Sequence, residues 1–186
     1  LDKAVDYDVK ALRISQALKL YRREVRILSN MQGHFGVWYD ITQDFQYIDS
    51  AKKIIGQTLR LGKKNDLKAE VAQTYSVLSG IAFVEKKYKL GLVYADSALM
   101  FLDRTKDFRF YHSVFQKKCD AYIELKDLKS AKLYADSSMY YADKTGEPLS
   151  RSTAYERLYE VEKLMGHDTK ALHYHELFST SRGCSR

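Results

Sequence analysis

The residues of this chain that could do chemistry are few, and their spacing argues against most of it. His167, His173 and His175 are the nearest approach to a metal cluster. On a helix, residues two apart point about 200° from each other, so His173 and His175 cannot grip one ion as an i, i+4 pair can. Histidines of a solvated surface near the chain end are the expected reading. Cys119 and Cys184 lack any Cys-x-x-Cys or Cys/His ligand spacing, so neither a zinc site nor a disulfide framework is indicated. Cys119 falls on an apolar helical face, where a buried, inert thiol is expected. Glu156 and Glu160 lie four apart on one face, as paired carboxylates would, but a solvated helix surface has the same pattern. The phosphate-cradling G-x-x-x-x-G-K-[ST] and G-x-G-x-x-G loops are missing, as is the G-x-S-x-G elbow. The expectation is a protein that is not an enzyme and uses no metal or cofactor.

Two further groups of side chains point to binding. Arg22, Arg23 and Arg26 cluster in a chain whose 31 Lys plus Arg against 24 Asp plus Glu leave it at +7. A basic adaptor that meets nucleic acid or an anionic surface through that cluster is one reading. The other basic residues are spread along the chain without a Gly-rich or aromatic RNA-binding signature, which argues against nucleic acid as the partner of this segment. The 15 tyrosines suggest an aromatic-lined ligand groove. However, Tyr39, Tyr75, Tyr122, Tyr134, Tyr155 and Tyr174 fall on positions expected to be buried, where the ring packs and the hydroxyl reaches the wet edge. Tyr140 and Tyr141 are left without that explanation.

Composition narrows the scaffold that must hold these groups. Of 186 residues, 45% are hydrophobic and 30% charged, enough for a core without a disulfide or metal staple. One proline, Pro148, and 9 glycines are too little turn punctuation for a sheet-rich fold. Helices joined by short connections are expected instead. No window approaches the ~20 apolar residues of a spanning helix, so this segment is not expected to insert into a membrane. The start at Leu1 reads as a segment trimmed from a longer, exported protein.

A fixed period organises the helices. Tyr94-Ala95-Asp96-Ser97-Ala98 recurs 40 residues on as Tyr134-Ala135-Asp136-Ser137-Ser138, and Ala131-Lys132-Leu133-Tyr134 recurs after another 40 as Ala171-Leu172-His173-Tyr174. Backward from Gly91 the counterpart is Ile48, 43 residues earlier, the extra three fitting the longer Gly62-Lys63-Lys64-Asn65-Asp66 connection. Within each unit apolar residues step by three and four, as in Val71, Tyr75, Leu78 and Ala82, the mark of an amphipathic helix. Each such helix runs to a short break, Glu85-Lys86-Lys87, Leu125-Lys126-Asp127 or Met165-Gly166-His167-Asp168, and a second helix follows. The second helices are expected to end at Asp66, at 103–107 and at Gly146-Glu147-Pro148, where Asp side chains cap the next helix and Gly supplies a positive φ. The result is one domain over 1–186: a leading helix over 1–23 and hairpins over 24–66, 67–106, 107–147 and 148–186.

With that period in place, the chain resembles the tetratricopeptide repeats. The family's helix A pattern of large apolar, small and aromatic residues is present as Phe35-Gly36-x-x-Tyr39. Its small residue opening helix B is present as Gly91, Ala131 and Ala171, with Ala98 and Ser138 seven residues on. Small residues let antiparallel helices approach while aromatics fill the space between hairpins. The likeness covers about residues 29 to 180. Its period of 40 exceeds the family's usual ~34, which implies longer helices, and Tyr159 and Phe178 stand where small residues are expected. The resemblance implies an all-α, right-handed superhelical array of antiparallel helix hairpins, an α-solenoid. Its inner wall, built from the first helix of each hairpin, would suit a protein or peptide partner. Carried over repeat by repeat, the groove positions are Asn30, His34 and Val37, then Gln73, Ser76, Gly80 and Phe83. The third hairpin adds Gln116, Lys117, Asp120 and Ile123, and the fourth Glu156 and Glu160. The early part is neutral and apolar and the later part charged, so hydrophobic plus hydrogen-bonded recognition is expected. Co-chaperone members of the family clamp a C-terminal carboxylate with Lys and Asn. The corresponding places here hold Gly33, Val37, Val77, Ser113 and Lys117, of which only Lys117 fits.

The start of the chain carries a second resemblance. Leu1-Asp2, Tyr7, Lys10, Arg13-Ile14 and Leu18-Lys19, with Phe45-Gln46-Tyr47-x-Asp49-Ser50-Ala51 later, look like the periplasmic tetratricopeptide segments of membrane-anchored transcriptional regulators from gut-type Bacteroidetes. In those proteins a signal sequence precedes this region, and a membrane helix, coiled coil and DNA-binding domain follow. The resemblance implies a periplasmic setting, a cytoplasmic one being the alternative, and a sensory role in signalling. A peptide, protein or glycan-derived signal in the groove would shift the population of conformers. Self-association through the last hairpin is a further expectation.

Overall fold

A computed structural model describes residues 2–103 and 106–183; Cys184 and part of the 103–107 connection lie outside them. Among the described residues there are nine α-helices and no strand. They are α1 (Asp2–Ala17), α2 (Tyr21–Thr42), α3 (Phe45–Lys64), α4 (Lys68–Val84), α5 (Tyr88–Leu99), α6 (Phe108–Glu124), α7 (Leu128–Thr145), α8 (Pro148–Leu164) and α9 (Asp168–Gly183). Helices adjacent in sequence pack on one another, α1 on α2, α2 on α3, α6 on α7, α7 on α8 and α8 on α9. The fold is an all-α array of helical repeats.

The turns show why the helices stop where they do. Lys86, Lys126 and Gly166 take φ of 58°, 59° and 75°, at spacings 126 − 86 = 40 and 166 − 126 = 40. Lys86 N–H donates to the Phe83 carbonyl at 2.9 Å and Lys87 N–H to the Ala82 carbonyl at 2.8 Å, and the same pair of bonds recurs at 126/127 and 166/167. Lys19 (φ 53°) closes α1 and Asp66 (φ 52°) closes α3 in the same way. This Schellman geometry satisfies carbonyls that a helix end otherwise leaves without donors. The first break therefore falls at 18–20, and Arg22 and Arg23 belong to α2, so the leading helix is shorter than the expected 1–23. The apolar pattern runs through that turn, which hid it.

Aspartate plays a different part from the one expected. Asp66 takes the left-handed position that ends α3. Asp107 begins α6 without a side-chain cap, its carboxylate accepting instead from the Asp103 N–H at 2.7 Å. Side-chain caps occur within hairpins: Asp44 accepts from the Gln46 N–H at 2.9 Å and Asp127 from the Ser130 N–H at 3.0 Å. Gly146, at φ 68°, ends α7, and Pro148 occupies the first turn of α8, where its missing N–H leaves no bond unmade.

The chain packs as two compact units, Leu1–Ile81 with Asp96–Leu102, and Ala82–Ala95 with Asp103–Arg186. In the first, Ile48, Ala51, Ile55 and Ile81 form a core bordered by Phe35, Tyr39 and Val77. Buried Gln32 on α2 donates to Thr58 Oγ1 on α3 at 2.8 Å. In the second unit, Cys119, Ala131, Ala135, Leu158 and Val161 form the core, bordered by Tyr122, Ile123, Tyr134 and Tyr174. Gly91 shows why a small residue opens the second helix of a hairpin, since a Cβ there would lie 2.1 Å from the Phe83 ring. At Gly36, by contrast, a Cβ would meet nothing within 4 Å, so close packing does not require that glycine. Tyr111 is the fully buried tyrosine, stacked on Tyr141 with ring centroids 4.8 Å apart. Tyr141 thus belongs to the packing, while Tyr140 stays exposed. The six tyrosines expected to be buried are half-buried, their rings packed and one edge wet.

Candidate functional site

The candidate groove residues meet different fates. In the first unit, α2 and α4 bring Asn30 and Gln73 together with Arg26, Ser29, Ala69 and Glu70 around a depression of about 200 Å³. Val37 is exposed and Gly80 half-buried, but Ser76 is buried and so is no groove residue. His34 places Nδ1 2.9 Å from Asp8 Oδ2, tying α2 to α1 rather than facing a ligand. In the second unit, Phe83 packs on Gly91 and Tyr88, and Ile123 lies against the Cys119 core. Both are packing residues, because a large apolar side chain on the first helix of a hairpin can reach the helix that follows. Gln116, Lys117 and Asp120 on α6 and Glu156 and Glu160 on α8 are half-buried.

Arg157, a residue the sequence did not single out, joins α6 to α8. Its Nε lies 2.7 Å from Asp120 Oδ1 and its Nη1 3.1 Å from Glu160 Oε2. Two of the three expected acidic groove positions, Asp120 and Glu160, therefore share one internal counter-charge. Burial pushes the Asp120 carboxyl up to about 6; Arg157 pulls it down, and Glu160 and Glu156 add to the rise. Along α8 runs a depression of about 690 Å³ lined by Glu156, Arg157, Tyr159, Glu160, Lys163 and Leu164. Tyr159 and Lys163 are shared with a smaller one, about 260 Å³, that reaches Leu172 and His175 on α9. Tyr159 stands where a small residue was expected, and its ring lies 5.1 Å from that of His175.

Other reactive groups are sealed or paired. His112, buried on α6, sets Nδ1 2.9 Å from Ser138 Oγ on α7 and Nε2 3.2 Å from Thr153 Oγ1 on α8. A serine beside an imidazole is the pairing of a nucleophile and its base, but Ser138 is 0% exposed and no substrate can reach it. Burial holds the His112 imidazole below its ordinary value. Glu162, 1% exposed, lies 3.4 Å from Lys132 Nζ and 2.7 Å from His167 Nδ1. Burial raises its carboxyl, but those two partners outweigh burial and hold it below the usual carboxylate range. The buried Cys119 thiol is pushed up to about 12, chiefly by burial, and is inert. Among the described residues no three His, Cys, Asp or Glu side chains converge on a point that could hold a metal ion.

The nine helices among the described residues, packed mainly on their sequence neighbours, define the class, a helical-repeat protein. No family model matches the chain, and no curated protein sequence does. Solved structures do, among them the crystal structure of BtubC (BKLC) from P. vanneervenii, which matches 97% of this chain and 80% of its own with a TM-score of 0.69. At 16% identity that likeness is one of fold. No helix among the described residues is long and apolar enough to cross a membrane.

Proposed function

We propose that this chain is a non-catalytic interaction domain of the tetratricopeptide kind, and that it holds a protein or peptide segment on the α8 face around Glu156, Tyr159 and Lys163. The observation that supports this is the lining of the 690 Å³ depression. An aromatic ring, the aliphatic Leu164 and both signs of charge lie along one helix, which suits an extended segment with an apolar side chain flanked by polar ones. Arg157 is engaged by Asp120 and Glu160, so Glu156 and Lys163 are the charges we assign to the ligand. The likeness of the first residues to membrane-anchored bacterial regulators supports a sensory role, in which an occupied face shifts the conformers passed on to the rest of the protein. Panning a random peptide library on the whole chain tests the assignment. Selected peptides should bind Tyr159→Ala at least about tenfold more weakly, the loss expected of an aromatic anchor, and Glu156→Lys should change which peptides are selected. A library that yields no binder, or peptides indifferent to both substitutions, overturns it.

A further inference from the structure

We infer that the outer face of α1 and the turn into α2 form a docking surface for an anionic lipid bilayer, on which this part of the molecule would lie without spanning it. Tyr7, Ile14 and Leu18 are 70%, 60% and 63% exposed. At about 100° per residue, steps of seven and eleven return to within roughly 20° of the starting direction, so the three side chains form one stripe. The Leu18 N–H still donates to the Ile14 carbonyl at 3.0 Å, which carries the helical course through Leu18. Tyr21, 46% exposed, follows at the start of α2.

The charges beside this stripe are mostly basic, with Asp6 an exposed acid next to Tyr7. Lys10 extends over the Tyr7 ring, its Nζ 5.7 Å from the centroid. Lys19, Arg22 and Arg23 are exposed immediately beyond Leu18. Among the described residues none of these four cations makes an ion pair, whereas the nearby Asp8 lies against His34 and Glu24 is buried, accepting from Gln16 and Gln57. Apolar side chains flanked by uncompensated Lys and Arg fit the boundary between headgroups and acyl chains. Phosphate strands would engage the cations and leave the stripe in water, so nucleic acid fits less well. This surface is on α1 and the start of α2 and is independent of the α8 face.

The test is co-sedimentation of the whole chain with vesicles of phosphatidylcholine alone or with about a third phosphatidylglycerol, at constant ionic strength. Binding is expected only with the anionic vesicles. Two cations near such a surface contribute about 30-fold in affinity, so Arg22→Ala/Arg23→Ala should lose about that much. Ile14→Ser/Leu18→Ser, which alters exposed positions only, should weaken vesicle binding about tenfold or more while leaving the helical circular dichroism unchanged. Equal binding to neutral vesicles, no binding to either, or vesicle binding untouched by Ile14→Ser/Leu18→Ser overturns the proposal. So does duplex DNA bound more tightly than the anionic vesicles and unaffected by that same pair of substitutions.

Discussion

His112 and Asp120, both on α6, pull stability in opposite directions with pH. The buried imidazole sits below its ordinary 6.5, so as pH falls through that value the unfolded chain takes up a proton the folded one resists, and stability is lost. Asp120 is raised from 3.8 to about 6, so between those values the folded chain holds a proton the unfolded chain has released, and stability grows as pH falls. His112→Asn should be less stable than the parent at pH 7, with the deficit shrinking toward pH 5. Asp120→Asn should be at least as stable at pH 7, with its advantage shrinking toward pH 4. Thermal unfolding across that range checks both, and profiles parallel to the parent's would contradict the assignment. Because the Asp120 side chain keeps 44% of its exposure, solvent screens part of its effect. Glu162 is the opposite extreme. Removing it as Glu162→Ala leaves Lys132 with Asp136 alone and takes the partner from His167, and should cost about 1–3 kcal/mol in denaturant unfolding, the usual consequence of losing hydrogen bonds to a charged group. None of these partnerships could be read from the chain. Arg157 lies 157 − 120 = 37 residues from Asp120, a separation that only the packing of α6 on α8 closes.

Turns and hairpins were far more legible, because their signals are local. The steps of three and four gave the amphipathic helices, and the 40-residue shift reappears in the φ angles of Lys86, Lys126 and Gly166. What the sequence concealed was that lysine three times occupies the left-handed position, at Lys19, Lys86 and Lys126, which nothing in its side chain advertises. A non-glycine residue there carries strain that glycine does not, of about 1 kcal/mol. Lys126→Gly should therefore stabilise the molecule by up to about that amount, and Gly166→Ala, whose Cβ would meet nothing within 4 Å, should destabilise it by a similar amount through conformation alone. Effects of the same sign for the two substitutions in chemical unfolding would contradict the turn assignment. The contact of Phe83 with Gly91 acts between elements too. Gly91→Ala should lose about 1–3 kcal/mol by overpacking, and Phe83→Leu in the same chain should recover part of it. The groove assignment of Phe83 failed for a reason of the same kind: repeat register places a residue on a helix but does not say whether the neighbouring helix has left room for it.

Over the whole molecule, each of the two units carries its own core, and packing runs chiefly between helices that follow one another in the chain. Stability in such an array is close to a sum of repeat and interface contributions, with little that must form all at once. Hydrogen exchange should accordingly show graded protection, lowest at the outer helices α1 and α9 and highest in helices packed on both sides, and refolding should be rapid because few distant contacts must be found. A single uniform protection value from α1 to α9 would contradict this. The division into two compact units was not legible in the sequence, since the repeat runs unbroken through α4 and α5, the helices that contribute to both.

Consecutive-neighbour packing has a mechanical side. A protein whose terminal strands are clamped in the middle of a sheet resists tension until the whole structure shears at once. Within each unit here, helices packed chiefly on their sequence neighbours would separate one hairpin after another. With turns at 166 − 126 = 40 residues and ~3.6 Å of extended chain per residue, each step would release about 14 nm of contour length. Each unit would yield in steps under low load and re-form when the load is removed.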